Sequence, residues 1–386
     1  MSTRSLSAFV SASCLLLLVA CGKKEEAPPP PAADAKAAAP ALDTDAEKVV
    51  NVYNWSDYIE PTVLDDFTKE TGIKVNYEVM DSNELLETKL VAGRTGYDVV
   101  VPSASFLARQ IKAGIYQKLD KAKLTNLANL DPEAMKRMEV FDPGNQYAVN
   151  YMWGTSGVAY NVDKINAAMK DAPVDSFAMF WDPKVLAHFA KCGVSVLDAP
   201  SEVVGTVLIY LGKNANSENP DDLKAAEKVL MSVRPYIRTI NSSAYIDNLA
   251  NGEICLALGW SGDAHIAANR AVENKTGATI KYNIPKEGAV AFYDNMAIPG
   301  DASHVKNAHI FIDYLLRKEI AAKNSNFLGY ANINAASWPL IKPEVKNDPG
   351  IFPPPEQMAK LVPDLPESAE FTRQLTRTWT RFRTGK

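Results

Sequence analysis

Three segments of the sequence place an aromatic side chain within a few residues of a carboxylate: Trp55-Ser56-Asp57-Tyr58, Trp260-Ser261-Gly262-Asp263 and Phe292-Tyr293-Asp294. The first two follow β-rich runs, the third falls at a candidate crossover between domains, and all three read as loops at strand ends. Strand ends are where α/β proteins place their ligands. Flat rings can wall in methylene groups or cationic carbon, and carboxylates take ammonium protons. A short diamine asks for both, because each ammonium loses water on entry and must regain charged acceptors while its linker offers only apolar area. A charge pair at about 4 Å is worth on the order of 4 kcal/mol at an effective dielectric of 20, and a cation over a ring adds roughly 0.5–2 kcal/mol. Desolvation removes much of this gain. Any single trio also reads as a helix-capping Asp beside a packed ring, so the repetition carries the weight.

Signatures of catalysis are absent from the sequence. It contains no HExxH, GxSxG, Walker A or GxGxxG pattern, and no metal or cofactor motif. Gly154-Thr155-Ser156-Gly157 and Gly259-Trp260-Ser261-Gly262 only superficially resemble nucleophile motifs. His188, His265, His304 and His309 are scattered and read as surface or packing residues. The enzymatic alternative is a hydrolase using Asp263 and Asp294 as an acid pair, which would require turnover. A net charge of -5 supplies no basic field for nucleic acid. With 47% hydrophobic residues in 386, the chain can bury a large core and is long enough for two domains.

The elements that would position these residues alternate in type. Residues 49–53 read as a strand and 61–71 as a helix, with Pro61 in the first turn and Gly72 as its cap. Val63, Leu64 and Phe67 share one face of that helix. Residues 73–79 alternate as a strand, Asp81 and Glu84 make a capping box for a helix carrying Leu85, Leu86, Leu90 and Val91, and 97–102 reads as a buried strand. This β-α-β-α-β order predicts an α/β fold. Residues 118–142 form a partly helical connection, and 147–160 and 291–299 are candidate crossovers between domains.

The N-terminus begins with Arg4 and an apolar run from Cys14 to Val19 that is too short to span a bilayer. Leu18-Val19-Ala20-Cys21 resembles the lipobox of bacterial lipoproteins. Residues 1–20 are thus expected to be a signal peptide, and Cys21 the acylated mature N-terminus; an ordinary secretory signal is the alternative. Residues 21–48 are Pro- and Ala-rich and read as a disordered tether. Cys192 and Cys255 remain, either as one disulfide of an exported protein or as two free buried thiols.

Taken together, Val52-Tyr53-Asn54-Trp55-Ser56-Asp57-Tyr58-Ile59, Asp98-Val99-Val100-Val101-Pro102-Ser103, Gly259-Trp260-Ser261-Gly262-Asp263 and Ile284-Pro285-Lys286-Glu287-Gly288 resemble the bacterial spermidine/putrescine-binding proteins, most of all their putrescine-binding branch. The likeness runs from about Val49 through Thr378-Trp379-Thr380-Arg381-Phe382. It implies a two-lobed type II periplasmic-binding fold with a hinge and an interlobe cleft, lobe 1 taking 49–150 and 296–386 and lobe 2 taking 151–295. It implies an aromatic box of Trp55, Tyr58, Trp260, Phe292 and Tyr330, with Asp263 and Asp294 on one ammonium. Asp57, Glu202, Ser56 and Ser103 would assist, and the small Ser105 and Ala199 look like the diamine branch. Cys192 and Cys255 sit where such relatives carry a disulfide. The implied role is that of a monomeric, lipid-anchored periplasmic protein that delivers a polyamine, putrescine first, to an ABC permease in the inner membrane without a cofactor or covalent chemistry. Spermidine, agmatine, cadaverine or another solute, and a sensory role, are the alternatives.

Overall fold

The computed structural model describes residues 42–386. The expected signal peptide, Cys21 and the tether up to residue 41 lie outside the described residues. Ten strands form one mixed sheet: β1 (Val49–Trp55), β2 (Lys74–Met80), β3 (Val99–Val100), β4 (Ala148–Asn161), β5 (Val194–Val196), β6 (Thr239–Ile240), β7 (Leu256–Trp260), β8 (Ile280–Asn283), β9 (Ala289–Ala297) and β10 (Leu361–Pro363). Their order is β2-β1-β3-β9-β4-β7-β5-β6, with β10 beside β9 and β8 beside β4. β1 pairs in parallel with β2 and β3, and β5 in parallel with β6 and β7. Two parallel α/β groups therefore flank the antiparallel pair β4 and β9. Among the described residues no helix is long and apolar enough to cross a membrane.

Local chemistry sets most of these boundaries. The helix Pro61–Thr71 starts with Pro in its first turn and stops at Gly72, whose φ of 72° lets its N–H reach back to the Thr68 carbonyl. Val63 and Phe67 on its inner face are buried. The next helix, Asn83–Ala92, departs from expectation. Ser82, not Asp81, is its N-cap and accepts the Leu85 N–H, while Leu86 and Leu90 are buried and Leu85 and Val91 stay in solvent. Only one stripe of this helix faces the core, so the residues adjacent to Leu86 and Leu90 fall outside it. Regular pairing in the expected 97–102 strand is confined to Val99–Val100, since Pro102 has no N–H to offer a ladder.

β4 and β9 run side by side from Ala148 opposite Ala297 to Ser156 opposite Val290 and link the two strand groups. The expected lobe boundaries, 150/151 and 295/296, fall inside these strands. The segment after β9 divides its packing between the two groups. The helix Val305–Leu315 packs on β1, but the C-terminal helix Ala369–Thr384 packs on Pro200–Tyr210 and Pro220–Val233 of the other group. Arg381 pairs there with Glu227, and the Trp379 indole donates to Asp198 at 2.7 Å. The cause is amphipathic: Phe371, Leu375, Trp379 and Phe382 make one buried stripe that needs an apolar surface, and those two helices supply it.

Cys192 and Cys255 are joined in a disulfide that ties the approach to β5 to the approach to β7 across a sequence separation of 63 residues. Constraining so long a loop in the unfolded chain is worth roughly 4 kcal/mol in the loop-entropy account. Replacing both cysteines by serine is expected to lower the unfolding free energy by about that amount in a urea titration. A change below about 1 kcal/mol would show that the bridge contributes little.

Candidate functional site

A cavity lies at the seam between the two strand groups, with about 460 Å³ of unfilled space counting its open mouth. The C-terminal end of β1 carries Trp55 into its wall, and the turn that follows adds Ser56 and Tyr58. Ser103 comes from the segment after β3. Glu202 sits in the first turn of the helix Pro200–Tyr210, Trp260 ends β7, and Asp263 opens the helix Ser261–Glu273. Phe292 and Asp294 project from β9, and Tyr330 follows the helix Lys318–Leu328. Ten of the eleven residues expected at the site thus meet in one cavity.

Three of them are buried carboxylates, and each is held by neutral donors. Asp263 accepts the Tyr330 hydroxyl at 2.6 Å and the Tyr245 hydroxyl at 2.7 Å. Asp294 accepts the Ser103 hydroxyl at 2.6 Å and the Tyr58 hydroxyl at 2.8 Å. Glu202 accepts the Ser156 hydroxyl at 2.5 Å and the Trp260 indole N–H at 2.9 Å. None of the three pairs with a Lys, Arg or His among the described residues. Burial therefore dominates, pushing Glu202 up to about 8, Asp263 to about 7 and Asp294 to about 6, against the pull of the donors toward the charged form.

The rings form a continuous wall around these acids. Trp55 meets Trp260 edge-on at 5.6 Å, Trp260 meets Phe292 at 6.1 Å, Phe292 meets Tyr330 at 6.1 Å, and Tyr330 meets Tyr58 at 4.9 Å. Close approach explains the glycines of Gly259-Trp260-Ser261-Gly262-Asp263. A β-carbon at Gly262 would lie 2.2 Å from the Tyr330 ring, and one at Gly259 would lie 2.6 Å from the Tyr245 ring. Only glycine lets both tyrosines reach the Asp263 carboxylate.

Asp57 is the exception: it does not line the cavity. Its φ of 54° turns the side chain out of the cavity to the rim, where it pairs with Arg270 at 2.5 Å. Arg270 also binds Asp247 at 2.9 Å. The cation that draws Asp57 away lies 213 residues further along the chain, beyond the reach of any local pattern. Ser103 is positioned as an N-cap, yet its hydroxyl serves Asp294 instead of the helix. Met80, Asp81, Ser242, Ser243 and Ile246 also line the cavity and were not anticipated. Asp81 had been assigned to a capping box; in the structure it accepts the Ser56 hydroxyl at 3.3 Å. The Ser pair and Ile246 carry no aromatic-and-acid signal. His304 and His309 are engaged in Asp98 and backbone contacts away from the cavity.

Two α/β groups linked by a pair of long strands, with anionic side chains and rings buried at the seam, define a solute-binding protein of the type II periplasmic fold. The chain belongs to the bacterial extracellular solute-binding proteins, whose family model matches residues 62–353. It is 53% identical to the putrescine-binding periplasmic protein SpuD of Pseudomonas aeruginosa over 342 residues, covering 88% of this chain and 93% of that one. It is 50% identical to the putrescine-binding periplasmic protein PotF of Escherichia coli, covering 88% and 92%. Among solved structures, the spermidine/putrescine ABC transporter substrate-binding protein PotD of Streptococcus pneumoniae superposes with a TM-score of 0.70 at 29% identity, covering 88% of this chain and 99% of that one. Proteins of this family bind solutes and do not transform them, so the chain is not an enzyme.

The raised carboxylates fix the sign of a pH effect. Ionising them in the empty cavity is unfavourable, so the ligand-free protein loses stability as pH rises from the ordinary carboxylate range through 6–8. A bound cation favours the charged forms, so binding releases protons and affinity rises with pH through the same window. Calorimetry at pH 7 in buffers of different ionisation enthalpy is expected to detect that proton release. A polyamine affinity that stays flat from pH 5.5 to 8.5 would contradict this account of the buried acids.

Proposed function

We propose that the protein captures a short diamine, putrescine, in this cavity and presents it to an ABC importer. The observation that supports this reading is the trio of buried acids with no protein cation, ringed by aromatic faces. One ammonium sits between Asp263 and Asp294, whose tyrosine donors Tyr330 and Tyr58 touch each other. The second faces Glu202 beneath Trp55 and Trp260, and the carbon linker lies along Phe292. An anionic solute would instead require Arg or Lys in the wall, and neither lines the cavity. The putrescine-binding names of the two bacterial relatives favour the same ligand.

Capture proceeds by closure of two lobes about β4 and β9. The first lobe comprises 49–150 and the segment after β9; the second comprises 151–295 and the C-terminal helix. Export by the N-terminal signal and acylation of Cys21 hold the monomeric protein at the periplasmic face of a membrane. Globomycin treatment of cells is expected to accumulate the uncleaved precursor, and an unchanged precursor pattern would remove the lipid anchor.

Titration calorimetry of the purified protein against putrescine, cadaverine, agmatine and spermidine tests the ligand. Putrescine is expected to bind most tightly, and silence from all four would overturn the polyamine reading. Asp263→Asn is expected to weaken putrescine binding by at least about thirtyfold, because losing one partner of a buried charge pair costs about 2–5 kcal/mol. Asp221→Asn, at an exposed acid paired only with Lys224, is expected to change it less than twofold. Equal effects of the two substitutions would sink the assignment.

A further inference from the structure

The antiparallel pairing of β4 with β9 is irregular at one place. Asn150 faces Asn295, but the next residue in register, Asp294, is met by Met152, so Tyr151 is one residue too many on the β4 side. A bulge of this kind bends its strand and re-aims a side chain, and it recurs beside functional sites. Here the extra residue points to the cavity wall. The buried Tyr151 ring meets the Tyr58 ring edge-on at 5.5 Å, and its hydroxyl donates to the Tyr58 carbonyl at 2.8 Å. Tyr58 in turn donates its own hydroxyl to Asp294.

The residue on the other side of the bulge holds the backbone of the same aspartate. The Asn150 side-chain N–H₂ donates to the Asp294 carbonyl at 3.0 Å and to the Met152 carbonyl at 3.2 Å, spanning the gap that the bulge opens in the ladder. Its own Oδ1 is buried without a partner among the described residues. A buried amide oxygen left unpaired is costly and persists only where the surrounding geometry demands that side chain. Two consecutive residues of one crossover strand therefore fix Asp294, one through its backbone and one through Tyr58.

We propose that Tyr151 and Asn150 are positioning residues for ligand capture: the bulge they form in β4 holds Tyr58 and Asp294 in the geometry that receives an ammonium group. Neither Tyr151 nor Asn150 is among the residues that line the cavity, so each acts through a residue that does. This rests on the polyamine reading above. Because the bulge lies in one of the two strands joining the lobes, the same two residues connect the hinge segment to the ligand carboxylate.

A double-mutant cycle distinguishes positioning from packing. Tyr151→Phe removes one hydroxyl and keeps the ring. Putrescine affinity is expected to fall roughly threefold to tenfold, the effect of losing one net hydrogen bond of about 0.5–1.5 kcal/mol. Tyr58→Phe is expected to weaken binding by a similar or larger factor. The double variant is expected to bind almost as well as Tyr58→Phe alone, since the position of the Tyr58 ring matters less once its hydroxyl is gone. Asn150→Ser, which keeps a small polar group but cannot span the bulge, is expected to weaken binding by at least tenfold. Tyr160→Phe, further along β4 and away from the cavity, is the control and is expected to leave affinity unchanged.

Thermal unfolding of each ligand-free variant accompanies the titrations, so that an affinity loss is read only from folded protein. If the two Tyr→Phe effects multiply fully, or if Tyr151→Phe and Asn150→Ser leave affinity within twofold of wild type, positioning by the bulge is overturned while the polyamine reading stands. If wild-type protein fails to bind putrescine and its analogues, the functional reading falls and the proposal falls with it.

Discussion

Three carboxylates, Glu202, Asp263 and Asp294, are buried at one seam and paired with no cation among the described residues, and the rest of the architecture follows from keeping them there. Charges removed from water must be paired, protonated or solvated by fixed dipoles. Without a ligand this protein combines the second and third means: burial pushes the three acids toward protonation, while tyrosine and serine hydroxyls and one indole N–H are aimed at five of their six oxygens, Glu202 Oε2 accepting two of them. Those donors favour the charged form without neutralising it. The deficit that remains is what an incoming cation relieves, so affinity and selectivity for positive charge have one physical origin.

The donors also explain why so much aromatic surface converges on the cavity. A tyrosine that donates to a buried carboxylate brings a ring with it, and Tyr58 and Tyr330 therefore serve the acids and wall the cavity at once. Their approach is possible because Gly259 and Gly262 leave room where any β-carbon would collide. At the rim, by contrast, Asp57 is matched by Arg270 and left half in water. An ion pair in that setting contributes little to stability, but it removes a fourth acid from a cavity already rich in negative charge. Inside and outside the cavity, the same residue type is treated in opposite ways according to its access to solvent.

The sheet supplies the remaining constraint. Parallel groups on either side place strand ends at the seam, and the antiparallel pair β4 and β9 connects them without a long loop. Phe292 and Asp294 lie on one of those connecting strands, and the bulge at Tyr151 lies on the other. Cavity-lining residues are thus built into the strand pair that joins the two groups.

Much of this was legible in the chain itself. The alternation of β-rich runs with amphipathic helices set the α/β class, since periodicity is local and each element needs only its own residues to declare it. The repeated aromatic-and-acid segments, read with the family resemblance, pointed to ten of the residues that line the cavity. What the sequence could not decide is what depends on partners distant in the chain. Asp57 turned outward because Arg270 waits across the rim, Ser103 gave its hydroxyl to Asp294 and not to its own helix, and the C-terminal helix joined the second group because its apolar stripe fits there. The bulge at Tyr151 also stayed hidden, because register is a relation between two strands and neither sequence contains it alone. Residue types fixed which chemistry was available, and tertiary packing decided which of those groups lost their water and so acquired a function.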